Sequence, residues 1–189
     1  MGKVRIIGGQ WKGRKLNVID KQGLRPTTDR IRETLFNWLQ WHLPTRRCLD
    51  LFAGSGVLGI EAISRGARYA QLVEKDRQVA NNLRQQLQLL NSPRLDLLQT
   101  DALKLLQSSP SEPFDIVFID PPFRQNVLET CCQHLEVNRW LSDEAYIYIE
   151  MEQELASITL PENWQLIRDK TAGQVHYCLF MRDIDNTAI

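Results

Sequence analysis

Residues 120–123 of this sequence read D-P-P-F and follow the most apolar stretch of the chain, residues 114–119. The Asp120 carboxylate and the Pro121 carbonyl are hydrogen-bond acceptors, so together they can hold both N–H groups of an amine. The prolines fix φ and lack N–H donors, which keeps the loop rigid. An aromatic ring at position 123 lets a nucleobase stack beside that amine. We therefore predict that four residues are catalytic: Asp120, Pro121, Pro122 and Phe123.

Such a loop suits the methylation of an exocyclic amine on a nucleobase. The lone pair of that amine is delocalised into the ring, so the amine must be held with its lone pair toward the methyl donor. Positioning and charge placement then lower the barrier, and neither a metal nor a covalent enzyme intermediate is required. An ordinary turn after a strand is the alternative explanation of the same residues.

A glycine-rich segment, residues 49–59, contains G-x-G-x-x-G between a predicted strand and a predicted helix. In that context the pattern indicates a nucleotide-like cofactor, although glycines there also serve simple turns. Glu74, at the end of the next predicted strand, can accept hydrogen bonds from the two hydroxyls of an adenosine ribose. Both NAD and S-adenosylmethionine contain that ribose.

Asp50 distinguishes the two cofactors. A carboxylate within about 5 Å of a dinucleotide's pyrophosphate would cost about 3 kcal/mol at an effective dielectric of 20, whereas S-adenosylmethionine carries an ammonium and a sulfonium that it attracts. Asp101 can accept from the adenine amine while Ala102 donates its N–H, although Asp101 also suits a helix N-cap. We predict S-adenosylmethionine as cofactor, bound by Asp50, Phe52, Gly54, Gly56, Glu74, Lys75, Asp101, Ala102 and Asp120.

Hydrophobic periodicity supplies the elements that position these residues. Strands and helices alternate from residue 48 to residue 149, and two strands near the C-terminus follow with only a glycine turn between them. This order predicts an α/β fold, a doubly wound seven-stranded mostly parallel sheet with a C-terminal antiparallel hairpin. The predicted strands are 48–52, 69–73, 95–99, 114–119, 145–149, 164–168 and 175–181, and the helices between them are 57–64, 76–90, 102–107 and 125–135.

The front of the chain is basic. Up to Arg47 it holds 11 basic and 3 acidic residues, against 12 basic and 20 acidic afterwards. We predict a basic strand-turn-strand extension over residues 1–24, then one domain over 25–189 that opens with a helix within 25–45. RNA phosphates and bases are its predicted ligands, although a solvated edge is the alternative. The predicted RNA-binding residues are Lys3, Arg5, Trp11, Lys12, Arg14, Lys15 and Arg25.

Composition excludes several classes of protein. The four cysteines show no C-x-x-C spacing, and the three histidines stand apart from one another, so we expect reduced thiols and no metal. No apolar run is long enough to cross a bilayer, and nothing near Met1 resembles a signal peptide. We expect a cytoplasmic protein without a membrane partner, and a monomer.

The motifs together resemble a known family. Residues 5–16, 25–39 and 49–67, with D-P-P-F, are similar to the RsmD family within the class I S-adenosylmethionine-dependent methyltransferases. That family modifies a guanine N2 in small-subunit (16S) ribosomal RNA. The resemblance implies that the glycine loop and the three acids after the strands bind the cofactor, that D-P-P-F binds the amine, and that the basic front grips small-subunit RNA or an assembling 30S particle.

Other functions remain open on the residues alone. Adenine-N6 methylation of DNA uses the same tetrapeptide, but the chain has no room for a domain that reads base edges. Glutamine methylation favours Asn rather than Asp at the first position, and a non-catalytic RNA chaperone or a dehydrogenase are further alternatives. A separate hypothesis places Arg30, Arg32 and Thr34 on a helix over the cofactor mouth.

Overall fold

The computed structural model of the chain describes residues 2–19, 28–122, 127–152 and 158–183. Strands and helices alternate through most of this part, as periodicity predicts, with shifts of a few residues at their ends. The strands are β1 Gly2–Arg5, β2 Lys15–Val18, β3 Arg47–Asp50, β4 Tyr69–Val73, β5 Leu95–Leu98, β6 Phe114–Ile119, β7 Leu141–Glu152, β8 Trp164–Ala172 and β9 Val175–Arg182. The helices are α1 Asp29–Trp38, α2 Val57–Ser64, α3 Arg77–Leu90, α4 Ala102–Leu105 and α5 Leu128–Val137.

Side-chain caps set where the helices begin. The Thr28 hydroxyl accepts from the N–H of Ile31 at the start of α1, and Asp76 accepts from Gln78 and Val79 at the start of α3. Both contacts satisfy N–H groups that have no partner inside the helix. The predicted start of α5 near residue 125 lies outside the described residues.

Seven strands form the main sheet in the order β5-β4-β3-β6-β7-β9-β8. The first five pair in parallel, and β9 runs antiparallel to both β7 and β8. The predicted mostly parallel sheet with a C-terminal antiparallel hairpin is therefore confirmed. β9 lies between β7 and β8, and β7 extends beyond the predicted 145–149 because β9 pairs along it as far as Glu152.

Strand order reverses at β3, since β4 pairs on one side and β6 on the other. Ligands of open α/β sheets bind in the crevice outside the carboxyl ends of the strands at such a point. The residues at the carboxyl ends of β3, β4 and β6 are therefore expected around the crevice. They include Asp50, the last residue of β3, and Glu74 and Asp120, which directly follow β4 and β6.

Each face of the sheet supports its own core. The face toward α2 and α3 includes Cys48, Leu72 and Phe118, and the other face packs Leu49, Val117 and residues of α5. The strands β1 and β2 pair as a separate hairpin, yet their apolar side chains belong to the first core. The predicted domain boundary near residue 24 lies outside the described residues.

Two findings concern partners. Within the described residues no helix is long and apolar enough to cross a membrane, and no group of three or more potential ligands is arranged for a metal ion. The four cysteines are buried free thiols, which agrees with the expectation of reduced side chains.

Candidate active site

Asp50 ends β3 and is 2% exposed. Its carboxylate accepts from the N–H of Gly59 at 3.1 Å and from the backbone of Phe52. Burial raises the pKa of Asp50 to about 7, the Gly59 hydrogen bond opposes that shift, and the nearby charge of Glu74 adds to it. Among the described residues no Lys or Arg forms an ion pair with Asp50. A cationic ligand would therefore be attracted here.

Glu74 joins two turns at the end of β4. Its Oε2 accepts from the N–H of Gly54 at 3.0 Å, and its Oε1 accepts from the N–H of Asp76 at 2.7 Å. These two bonds fix the carboxylate between the glycine loop and the start of α3, where it can still accept from ligand hydroxyls. Lys75 beside it is exposed, and Phe52 is half-buried against the α5-side core.

The glycine loop needs glycine for two reasons. Gly54 and Gly56 have φ values of 52° and 74°, in the left-handed region that favours glycine. A Cβ on Gly56 would also lie 2.5 Å from Leu83 Cδ1 and 2.9 Å from Leu72 Cδ2. Turn geometry and internal packing thus account for Gly56 without any ligand, which is the simpler of the two explanations that the sequence allowed.

Asp101 caps α4. It is exposed, and its side chain accepts from the N–H of Lys104 at 3.2 Å. The capping role that the sequence left open is therefore present, and the second carboxylate oxygen has further lone pairs. Ala102 is buried and is the first residue of α4, so its N–H has no acceptor within the helix.

Asp120, Pro121 and Pro122 are half-buried and follow β6 directly, whereas Phe123 lies outside the described residues. The Asp120 carboxylate lies near enough to the Tyr148 hydroxyl to contribute to its raised pKa, behind burial and Glu150. Tyr148 belongs to the same core as Phe118, so Asp120 faces the side of the sheet on which Asp50 and Glu74 lie.

A buried anchor holds the N-terminal hairpin to α2, and sequence reasoning missed its central residue, Glu61. The Glu61 carboxylate accepts from the N–H of Ile7 at 2.9 Å and of Gly8 at 2.6 Å, and it receives Arg65 Nε at 2.8 Å. Arg32 Nη1 lies 3.5 Å from its Oε2, with both side chains fully buried. An acid within the otherwise apolar helix 57–64 was the available signal.

Ser64 completes this anchor one turn further along α2. Its hydroxyl donates to the carbonyl of Gly8 at 2.6 Å and accepts from the N–H of Trp11 at 3.0 Å. A Cβ on Gly9 would collide with the Ser64 carbonyl. Gly8 and Gly9 therefore allow the hairpin backbone to lie close to α2, the helix that follows the glycine loop.

The predicted RNA-binding residues divide by exposure. Lys3, Arg5, Lys12, Arg14 and Lys15 are exposed, and Arg25 lies outside the described residues. Trp11 is half-buried and packs against the first core, so only part of its ring faces solvent. Arg14 Nη2 donates to the carbonyl of Leu89 at 2.8 Å, and Arg5 lies 3.5 Å from Asp29.

The placement of α1 over the cofactor mouth stays a hypothesis. Within α1, Arg32 is fully buried between Asp29 and Glu61, with Nη2 2.5 Å from Asp29 Oδ1. Thr34 donates to the carbonyl of Arg30, which is exposed. Arg32 thus belongs to the anchor of the hairpin.

Comparisons with known proteins identify relatives of this chain. The family model described as Conserved hypothetical protein 95 matches residues 4–181. Ribosomal RNA small subunit methyltransferase D of Escherichia coli K12 is 52% identical over 182 residues, which cover 96% of this chain and 91% of that protein. The protein of the same name in Haemophilus influenzae is 47% identical, covering 95% and 94%.

Solved structures show the same fold. The structure of yhhF from Escherichia coli superposes with a TM-score of 0.90 at 49% sequence identity, covering 96% of this chain and 99% of that one. The match spans both the basic hairpin and the C-terminal strands, so the N-terminal extension and the sheet recur together in a relative.

Proposed function

We infer the function of this chain from its family: the chain belongs to the family described as Conserved hypothetical protein 95, the RsmD family of the sequence resemblance, and it is a methyltransferase. From this premise we propose that it methylates the exocyclic N2 amine of a guanine in small-subunit (16S) ribosomal RNA, with S-adenosylmethionine as methyl donor. The observation that carries the proposal is a row of three acids on one face of the sheet, at the point where the strand order reverses. Asp50 ends β3, Glu74 directly follows β4 and Asp120 directly follows β6.

The residues present suit S-adenosylmethionine better than a dinucleotide. Asp50 is a buried carboxylate with a raised pKa, and a cation would stabilise its charged form whereas a pyrophosphate would oppose it. Glu74 is held by two backbone N–H groups, an arrangement that keeps it ready to accept from ribose hydroxyls. When bound, S-adenosylmethionine supplies a methyl group on a positively charged sulfur.

Asp120 and Pro121 orient the acceptor amine. The Asp120 carboxylate takes one N–H of the amine and the Pro121 carbonyl takes the other, so that the nitrogen lone pair is left for the methyl carbon. A bound donor would supply its methyl group to that nitrogen and would leave with the electron pair of its S–C bond. The methylated nitrogen then releases one proton, for which the Asp120 carboxylate is the nearest proposed acceptor.

The basic hairpin is the proposed RNA contact. Its five exposed basic residues project from a base that Glu61 and Ser64 fasten to α2, the helix that follows the cofactor loop. RNA bound there is thus held in a fixed relation to the methyl donor. Five phosphate contacts would give a log-log salt slope of about −3.5 to −4.5. A ribosomal substrate also places the protein in the cytoplasm.

Nucleoside analysis tests the proposal. The purified chain is incubated with labelled S-adenosylmethionine and with transcribed, unmodified small-subunit RNA, either free or assembled into 30S particles. Digestion should yield labelled N2-methylguanosine from at least one of the two substrates. Labelled N6-methyladenosine, or no label in either, would reject guanine-N2 methylation, and calorimetric binding of NAD in place of S-adenosylmethionine would reject the cofactor.

A further inference from the structure

A second carboxylate lies beside the proposed amine site. Strands β6 and β7 pair in parallel through Phe118 with Tyr148 and Ile119 with Ile149, so Asp120 and Glu150 are next along the two strands. Neighbouring strands lie about 4.8 Å apart. Phe118 and Tyr148 pack in the same core, and because side chains alternate along a strand, Asp120 and Glu150 continue that face.

The Tyr148 hydroxyl holds Glu150 in place. It donates to Glu150 Oε2 at 3.0 Å, and the two residues are 0% and 4% exposed. Burial raises the pKa of Tyr148 well above its usual value, and Glu150 and Asp120 raise it further, so the hydroxyl stays protonated as a donor. The Glu150 carboxylate therefore lies against the Tyr148 hydroxyl, and the charge of Asp120 acts on the same group. A carboxylate can accept several hydrogen bonds at once.

The two purines differ at the atom next to their exocyclic amine. Guanine presents the N1–H donor beside its N2 amine, whereas adenine presents the N1 lone pair beside its N6 amine. A carboxylate adjacent to the amine site therefore attracts guanine and repels adenine. Enzymes that act on a base taken out of the stack read it through this edge.

We propose that Glu150 accepts the N1–H of the target guanine while Asp120 and the Pro121 carbonyl hold its N2 amine, which makes Glu150 the residue that selects guanine over adenine. This inference rests on the proposed function and deepens it. Tyr148 acts through Glu150 as a positioning residue, since its hydroxyl donates to the carboxylate from within the core. The methyl-transfer step itself is unchanged.

The test compares products rather than overall activity. Glu150→Gln keeps the shape of the side chain but replaces one acceptor by an NH2 donor, which suits the N1 lone pair of adenine. On transcribed small-subunit RNA, free or in 30S particles, this variant should make N2-methylguanosine about 100-fold more slowly than the unaltered protein, consistent with the loss of a buried hydrogen bond to a charged group. It should also produce N6-methyladenosine that the unaltered protein does not make. Tyr148→Phe should give a smaller fall, about tenfold, and no N6-methyladenosine, because the Glu150 carboxylate that repels adenine is still present.

Glu144→Gln is the matched control, because Glu144 is an exposed acid near the opposite end of the same strand. Its products should equal those of the unaltered protein. S-adenosylmethionine affinity and melting temperature, measured for every variant, separate a structural effect from a change in base selection. A Glu150→Gln variant that keeps the rate and the guanine-only product overturns the role of Glu150 alone. Adenine methylation by the unaltered protein overturns the proposed function and, with it, this inference.

Discussion

Two buried carboxylates, one within helix α2 and one before it, illustrate opposite uses of the same chemical group. Glu61 lies inside the helix at 0% exposure and is surrounded by two backbone N–H groups and two arginines. Asp50 lies before the helix at 2% exposure; among the described residues its carboxylate accepts from backbone N–H groups alone, and the acid Glu74 is its charged neighbour. Within the described residues, arginines balance the negative charge of Glu61, whereas Asp50 has backbone N–H groups and no arginine or lysine beside it.

This difference separates stability from binding. A buried charge that is fully paired holds elements together, and its removal leaves its partners without compensation. A buried charge without a cation lowers stability, and such groups concentrate where a ligand supplies the missing charge. Glu61 therefore fastens the N-terminal hairpin, which is the proposed RNA contact, and Asp50 is the proposed contact of the cationic methyl donor.

The largest expected effect on stability comes from removing Glu61. Glu61→Ala removes one of the two carboxylates that pair with buried Arg32, Asp29 being the other, and frees the N–H groups of Ile7 and Gly8. We expect the free energy of unfolding to fall by about 3–5 kcal/mol, measured by urea denaturation. The control is Glu112→Ala, which removes an exposed acid paired with Arg47 and Arg68 and should cost less than about 1 kcal/mol. Equal losses in the two variants would contradict the contrast.

Asp50→Asn should show the reverse pattern. The amide keeps the shape of the side chain but removes the charge, so the affinity for S-adenosylmethionine should fall by about 10–100-fold. The free energy of unfolding should stay the same or rise, because the desolvated carboxylate is gone. Calorimetric titration and urea denaturation measure the two quantities. An unchanged affinity would show that Asp50 does not meet the cationic part of the ligand.

The pH dependence follows from the raised pKa of Asp50. Its folded-state pKa of about 7 lies above the ordinary 3.8, so folding favours the protonated form. The contribution of Asp50 to the free energy of unfolding is therefore full below pH 3.8 and is lost as pH rises to about 7.

Cofactor affinity should move the other way, since the cation prefers the ionised carboxylate. It should rise by up to about tenfold per pH unit between pH 5.5 and 7 and level off above. Titrations at several pH values check this, and Asp50→Asn should give a flat profile over the same range. A slope that survives in Asp50→Asn would assign the titration to another group.

The smallest effect is expected at Ser64. Ser64→Ala removes a donor to the Gly8 carbonyl and an acceptor for the Trp11 N–H, at the same junction that Glu61 fastens. The free energy of unfolding should fall by about 1–2 kcal/mol, and RNA affinity should fall more than S-adenosylmethionine affinity. The control is Ser55→Ala, which removes a hydroxyl from the glycine loop instead of from the hairpin junction. An effect on cofactor binding alone would place Ser64 outside the hairpin anchor.

Local signals explain what the sequence predicted well. Helix α2 and the strands β4 and β6 begin and end at the predicted residues, because periodicity, glycine and proline act over a few neighbours. The positions of Asp50, Glu74 and Asp120 at strand ends could be predicted because strand ends are local features. Parallel strands bring their carboxyl ends to one edge of the sheet.

Long-range pairing explains what it missed. Glu61 reaches Gly8 across more than fifty residues, and Arg32 meets Glu61 only when α1 packs beside α2. Glu150 lies beside Asp120 because β7 pairs with β6, and the sequence around Glu150 does not specify that pairing. Glu61 and Glu150 both lie in otherwise apolar segments. An acid at a core-facing position is therefore the sequence signal for residues of this kind.

The most direct test of the account is a single-turnover measurement on Asp120→Ala. With saturating S-adenosylmethionine and bound small-subunit RNA, the account predicts a fall of at least about 100-fold in the rate of methyl transfer. The fold and the RNA affinity should be kept, with the affinity within about threefold of that of the unaltered protein. A rate within a few-fold of the unaltered protein would contradict the claim that the Asp120 carboxylate holds the amine.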